Sequence, residues 1–184
     1  MRKALQLLSF VALAGVPFTA QADAPARKIG WNELRTADSA ATQPVTDASA
    51  TLSWDLEGKT VELAGYVLPS DREGDLVYQF LLIPWTGLCS HVPPPPPNQA
   101  VLITLKDPYR LSETYQTVSV TGVLKPALEK TQLFILDGVS VIESGYTIGS
   151  AAVAPADKVI GAEPPPSSLS KSNPWSFLGK KTGG

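Results

Sequence analysis

The chain has 184 residues, of which 43% are hydrophobic and 17% are charged, and its formal net charge is −2. A mildly acidic chain lacks the clustered positive face that phosphate binding needs, so we expect no nucleic-acid partner. Loss of a predicted leader leaves roughly 160 residues, which is enough for one domain with a real core.

The first 22 residues have the three features of a secretory signal peptide. Arg2 and Lys3 supply positive charge, Leu5 to Phe18 is mostly apolar, and Ala20-Gln21-Ala22 has the small-x-small pattern of a cleavage site. The apolar stretch is shorter than the ~20 residues that span a bilayer, so we expect no stable membrane anchor. The sequence therefore predicts cleavage after Ala22 and a periplasmic protein.

Composition divides the remaining chain into three parts. Residues 23–53 are rich in Ala, Thr, Ser and Asp and form a predicted N-terminal extension with a short helix at Ile29–Leu34. Residues 54–149 form a predicted β-rich core domain. Residues 150–184 form a predicted flexible C-terminal tail, because Pro, Ser and Lys cannot bury enough apolar area to offset the ordering entropy. In this tail, Trp175, Phe177 and Leu178 could still dock onto the domain or a partner.

The core domain is predicted to be mainly β. Runs of β-branched, aromatic and Leu residues, bounded by Gly, Pro, Asp or Ser, predict five strands. They span residues 60–68, 76–83, 100–105, 117–124 and 131–143, the last with a break at Asp137-Gly138. Five short strands indicate a small OB-like five-stranded barrel or curled sheet. Gly65 would permit the sharp coiling of the first strand.

The loop after the second strand contains the only cysteine and the only histidine of the chain, Cys89 and His91. Thiolate and imidazole suit zinc and copper, and residues two apart in an extended segment project from the same side. Haem is less favoured, because the C-x-x-C-H attachment spacing is absent. A buried structural cysteine and a reactive redox thiol remain alternatives.

Two ligands do not complete a zinc site, which usually has four. Carboxylates, water or a second chain would have to supply the rest, and the last case would give a metal-bridged homodimer. The carboxylates considered are Asp71, Glu73, Asp75 and Glu113.

A run of five prolines follows the Cys-His pair. The run comprises Pro93, Pro94, Pro95, Pro96 and Pro97. It favours a stiff polyproline II segment that would hold the loop extended or bind a partner, with Trp85 as a platform or part of the contact. Asn98 and Gln99 are expected to pair with carbonyl groups that the prolines leave free.

These motifs resemble a known family of exported bacterial proteins. The resembling segments are Trp31-Asn32-Glu33-Leu34, Leu56–Val61, Gly65–Pro69, Phe80–Pro84, Gly87–Gln99, Val120-Thr121-Gly122 and Gly145-Tyr146. From Ile29 to Ile148 the chain resembles DUF3299, a family of unknown function. The resemblance implies an envelope accessory, sometimes associated with ABC-type export systems and metal-regulated genes.

Together these patterns predict a periplasmic accessory protein that binds zinc or copper and is linked to envelope transport or metal homeostasis. No motif for a catalytic base or an oxyanion site is legible, so we do not expect an enzyme. The alternatives are an interaction adaptor that binds an envelope transport complex through the proline loop, and a thiol redox protein.

Overall fold

The computed structural model describes residues 25–36, 52–88, 94–135 and 137–162. The predicted signal peptide and the residues from 163 onward therefore lie outside the described residues, as do Cys89, Ser90, His91, Val92 and Pro93. No helix in the described ranges is long and apolar enough to cross a membrane.

Six strands and three short 3-10 turns make up the described structure. The strands are β1 (Arg27–Ile29), β2 (Thr60–Glu73), β3 (Leu76–Ile83), β4 (Val101–Arg110), β5 (Thr117–Ile135) and β6 (Gly138–Pro155). The 3-10 turns are Trp31–Leu34, Trp54–Leu56 and Pro97–Gln99.

Five of these strands close into a ring, which confirms the predicted barrel-like sheet. β2 pairs with β3, β3 with β4, and β5 with both β6 and β2, all antiparallel, while β4 and β6 pair in parallel. The ring closes because β2 is long enough to serve two neighbours. Its residues 60–66 pair with β5, and its residues 66–73 pair with β3. β1 adds to β2 in parallel.

Gly65 lies where β2 changes neighbours. A Cβ atom at this position would come within 2.7 Å of Leu82 Cγ and 2.9 Å of the Ile83 carbonyl oxygen. Only a residue without a side chain lets β2 and β3 approach this closely.

The barrel interior is filled by alternating residues of its strands. In β2, Val61, Leu63 and Val67 are fully buried, while Glu62 between them is only half-buried. Period-two alternation places successive side chains on opposite faces, so one face of each strand forms the core. A second apolar cluster includes Leu88 and Ala100, the described residues on either side of the β3–β4 loop. It contains Leu68, Leu81, Ile83, Leu88, Ala100, Leu133 and Ile142.

The predicted limits of the last two strands are wrong. β5 continues through residues 125–130 to Ile135, and β6 runs from Gly138 to Pro155, so one long hairpin replaces strands predicted at 117–124 and 131–143. The register shifts between Pro126 and Glu129, inside the segment that was predicted to separate the two strands. Pro126 and the charged residues of this segment have a low preference for strand. Cross-strand pairing with β6 compensates for this weak local preference.

The packed structure also extends beyond the predicted core domain at both ends. Ile29, Trp31 and Leu34, which the prediction placed in an N-terminal extension, are buried in the main core. β6 passes residue 149, where the flexible tail was predicted to begin, and pairs with β5 as far as Pro155.

Candidate functional site

The predicted site lies in the connection between β3 and β4, residues 84–100. Cys89, His91 and Pro93 fall outside the described residues, so their assignment as site residues stays a prediction. The described structure gives both flanks of this segment, Pro84–Leu88 on one side and Pro94–Ala100 on the other. These flanks determine where the chain enters and leaves the predicted site.

The upstream flank is held by a tyrosine. The backbone N–H of Leu88 donates to Tyr115 Oη at 2.9 Å, and the Tyr115 hydroxyl contacts the Leu88 carbonyl oxygen at 3.4 Å. Leu88 itself is buried in the second apolar cluster. Both backbone groups of the residue that precedes Cys89 are therefore tied to the barrel.

Tyr115 adopts an unusual backbone conformation to make this contact. Its φ is +63°, in the left-handed region that non-glycine residues rarely occupy. Its own N–H donates to the Val67 carbonyl oxygen at 3.0 Å. A conformation of this kind costs on the order of 1–3 kcal/mol and tends to occur where surrounding contacts require it.

On the downstream flank, only part of the proline run forms a rod. Pro96 has the extended dihedrals of polyproline II, φ −63° and ψ 156°, but Pro97 already begins a 3-10 turn. The N–H groups of Gln99 and Ala100 donate to the carbonyls of Pro96 and Pro97, at 2.8 and 3.2 Å. The predicted five-proline rod thus ends before its last residue, because this turn satisfies two proline carbonyls.

The four described prolines differ in exposure. Pro94 and Pro96 are exposed, Pro95 is buried, and Pro97 is half-buried. Among the described residues that were predicted to bind a partner, Pro94 and Pro96 are therefore the ones presented to solvent. Trp85 is half-buried, and within the described ranges its buried indole Nε1 meets no hydrogen-bond acceptor.

Gln99 joins the downstream flank to the N-terminal turn. Its buried side-chain amide donates to the carbonyl oxygens of Trp31 at 3.1 Å and Asn98 at 2.6 Å, and its Oε1 accepts from Arg35 Nη2 at 3.0 Å. Trp31 in turn donates from its indole nitrogen to the Ala64 carbonyl at 2.7 Å. The side chain of Gln99 thus binds the carbonyls of Trp31 and Asn98 and not the proline carbonyls that were predicted, and it ties the loop to the N-terminal turn.

Tyr146 completes this fastening from β6. Its hydroxyl donates to the Leu34 carbonyl at 2.7 Å and accepts from the backbone N–H of Ser53. Burial raises the pKa of Tyr146 to about 12, and the hydrogen bond from Ser53 partly opposes that rise. The neighbouring Gly145 N–H donates to the Ala100 carbonyl at 3.2 Å.

Sequence reasoning did not connect Trp31, Gln99 and Tyr146, although each lies in a motif that carries the family resemblance. They are at least 47 positions apart along the chain, so no local pattern relates them. The signal in the sequence that could have linked the three residues was that apolar and polar residues occur side by side in each of these motifs.

The carboxylates considered as further ligands do not form a site by themselves. Among the described residues, no group of three His, Cys, Asp or Glu side chains is placed to hold a metal. Asp71, Glu73, Asp75 and Glu113 are all exposed, and Asp75 Oδ2 lies 3.2 Å from Arg110 Nη1. Asp71 lines a groove of about 390 Å³ with Leu68, Arg72, Thr114 and Phe134.

A family model matches residues 17–155, and its description is that of a protein of unknown function, DUF3299. The chain belongs to the DUF3299 family. This confirms the resemblance at the level of the family.

A solved structure supports the same assignment. The crystal structure of a DUF3299 family protein from Pseudomonas aeruginosa PAO1 at 2.45 Å resolution has a TM-score of 0.55 to this chain and 26% sequence identity. The match covers 73% of this chain and 98% of that chain. No curated protein matches.

Proposed function

We propose that this DUF3299 protein is a periplasmic accessory that binds a transition metal, zinc or copper, through Cys89 and His91. Its role would be in envelope transport or metal homeostasis. The observation that carries the proposal is the position of the chain's only cysteine and only histidine, two residues apart. Thiolate and imidazole are the side chains best suited to these ions.

The flanks of the loop support this proposal because they are anchored. Leu88 is tied to Tyr115 through both backbone groups, and Cys89 is bonded directly to Leu88. Consecutive Cα atoms are about 3.8 Å apart, so Cys89 and His91 cannot lie far from these anchors. Anchored flanks lower the ordering cost of binding an ion.

The remaining ligands would come from outside the pair. Asp71 lines a groove together with Thr114. Thr114 is the sequence neighbour of both Glu113 and Tyr115, and Tyr115 binds Leu88. Asp71 and Glu113 are therefore candidate ligands. A second chain could instead contribute its own Cys89 and His91. That arrangement would give four ligands and a metal-bridged dimer. The Trp85 indole nitrogen, which meets no acceptor among the described residues, is a donor for an acceptor in or near the loop.

The test is metal content on the purified chain beginning at Asp23, after zinc or copper loading and removal of free metal. Wild type is expected to retain metal, and both Cys89→Ala and His91→Ala are expected to lose it. Ser90→Ala, which changes the residue between the two ligands, is the matched control and should retain metal. The ratio of metal to chain separates a monomeric site from a bridged dimer. Wild type without metal, or variants that all retain it equally, would contradict the proposal.

A second function is favoured by the exposure of Pro94 and Pro96. Exposed prolines in extended conformation can bind an aromatic groove of a partner, so the protein would act as an adaptor for an envelope transport complex. Replacing Pro94 and Pro96 by Ala should abolish co-purification with that complex while leaving metal content unchanged. Buried Pro95→Ala controls for loss of structure. Co-purification that survives the double replacement would exclude the adaptor role.

A further inference from the structure

The long β5–β6 hairpin extends past the barrel as a two-stranded segment, which we call the distal ribbon. It comprises residues 125–135 of β5 and 138–145 of β6. In the described structure, β5 pairs with β2 only as far as Val123, and β6 pairs with β4 only from Tyr146. The two strands of the ribbon pair with each other, so their outer edges carry backbone groups outside any described sheet.

The two faces of the distal ribbon differ in burial. Leu133 and Ile142 point inward and join the second apolar cluster. On the outer face, Phe134 is 83% exposed, Val139 53% and Val141 59%. Phe134 lies opposite Val139, and Val141 lies opposite Gln132, so strand alternation places all three on one face. The outer face is therefore a contiguous apolar surface.

This surface concentrates the exposed apolar side chains of the protein. Four of the eight large hydrophobic residues that are exposed in the described ranges belong to the ribbon, the fourth being Leu128. Scattered exposed hydrophobics are ordinary, but a contiguous patch beside open strand edges normally binds something.

We propose that the outer face of the distal ribbon is the docking site for the chain's own C-terminal segment, Trp175–Leu178. Trp175 and Phe177 are two apart, so an extended segment presents both rings on one side. An added strand would pair with an open edge of the ribbon while its aromatic rings cover Phe134 and Val141.

The length of chain after the described structure allows this contact. Residue 160 is fixed to the barrel, because its carbonyl accepts from the Trp31 N–H at 3.1 Å. Twelve residues lie between Ala162 and Trp175, so the chain makes thirteen steps from one to the other. At roughly 3.3–3.6 Å per residue they span up to about 45 Å, whereas a domain of this size is roughly 35 Å across. The segment is therefore longer than the width of the domain, which is enough to cross from residue 162 to a neighbouring face of the barrel.

The charges of the two partners are opposite. Residues 125–145 contain Glu129, Asp137 and Glu143 against Lys125 and Lys130, a net charge of −1. Residues 163–184 contain one acid, Glu163, and three lysines, a net charge of +2, and the lysines lie on both sides of the aromatic pair. The lysines are Lys171, Lys180 and Lys181. Opposite charge favours this pairing and its register.

Hydrogen–deuterium exchange on the full chain from Asp23 tests the proposal. In wild type, amides of residues 173–179 should exchange at least about tenfold more slowly than in an unstructured peptide of the same sequence. Phe134→Ser, and independently Val141→Thr, should return them to the peptide's rate. Both positions are exposed, so neither change removes core packing. Trp54→Ser, which replaces another exposed aromatic residue outside the ribbon, should leave the protection unchanged.

Concentration distinguishes the occupants of the ribbon. Docking within one chain predicts the same protection over about a hundredfold dilution, because the local concentration of the tail does not change. Protection that falls on dilution, together with a dimer by light scattering, would assign the ribbon to a second copy and overturn the proposal. Tail amides that exchange at the peptide's rate in wild type, or that ignore Phe134→Ser, would overturn it as well.

Discussion

Two regions of this barrel use similar residues for different purposes. The first, which we call the N-terminal seal, consists of Trp31, Gln99 and Tyr146 with the backbone groups they bind. The second, the ribbon region, consists of Leu88, Tyr115 and the distal ribbon. In the seal, the indole nitrogen, the side-chain amide and the phenol are buried and hydrogen-bonded to backbone carbonyls. In the ribbon region, a strained tyrosine holds a loop and an apolar face is open to solvent.

The difference separates stability from function. A buried polar group with good partners restricts the chain to one arrangement, and its loss leaves other groups unpaired. Backbone strain and exposed apolar surface both destabilise the free protein. They therefore tend to occur where the protein binds a ligand or a partner. We therefore expect changes in the seal to reduce folding stability. Changes at the Tyr115 hydroxyl and on the exposed outer face of the ribbon should alter binding with a smaller effect on folding.

The largest effect should come from Trp31→Ala. This change removes a fully buried ring and leaves the Ala64 carbonyl without its indole donor, so the free energy of unfolding should fall by about 3–5 kcal/mol. Urea denaturation followed by circular dichroism measures it. Trp54→Ala, at an exposed tryptophan, should cost no more than about 0.5 kcal/mol. Equal losses at the two positions would show that the N-terminal turn is not part of the seal.

The next effect should come from Tyr146→Phe, which removes a buried hydroxyl with two partners. Near neutral pH the variant should be less stable by about 1–3 kcal/mol, because Leu34 and Ser53 lose their hydrogen bonds.

This difference should depend on pH. The pKa of Tyr146 is about 12 in the folded protein against 10.0 for an ordinary tyrosine. As the pH rises from 10 towards 12, the tyrosine releases its proton in the unfolded chain before it does so in the folded protein. The free energy of unfolding of wild type therefore falls by up to about 2–3 kcal/mol, whereas the phenylalanine variant has no such proton and no such loss. Unfolding free energies at several pH values should therefore converge above about pH 10. A constant difference across that range would contradict the burial of this hydroxyl.

The smallest effect on folding should come from Tyr115→Phe, which deletes the hydroxyl that holds Leu88. Loss of this contact should cost about 0.5–1.5 kcal/mol in stability. If Cys89 and His91 bind metal, a loosened flank should also weaken zinc binding by roughly 3–10-fold, as competition with a coloured chelator would show. Tyr78→Phe, at an exposed tyrosine of β3, controls for loss of a phenol. Unchanged zinc affinity would limit the role of Tyr115 to the fold.

Local sequence determined most of the barrel. The second predicted strand, 76–83, matches β3 residue for residue, and the alternation of Val61 and Leu63 with Glu62 correctly predicted the buried face of β2. Gly65 was identified because the first strand of a small barrel must coil sharply. These features depend on residues near one another in the chain, and period-two alternation records them directly.

The candidate site was predictable only in part. Its two predicted ligands are close together in the sequence, but the contacts that anchor the loop come from distant residues. The spacing of Cys89 and His91 can be read from the sequence. The hydrogen bonds between Leu88 and Tyr115 join residues that are 27 positions apart in the chain. The positive φ of Tyr115 was not predictable either, because tyrosine normally avoids that conformation.

Only the tertiary structure decided which distant residues meet and how far the last two strands extend. Trp31, Gln99 and Tyr146 meet because the ring of strands closes, and residues 125–130 form a strand because β6 pairs with them despite Pro126. Sequence patterns report how each segment divides its side chains between core and solvent. Pairing between distant strands depends instead on barrel closure, which contributes contacts that no single segment encodes.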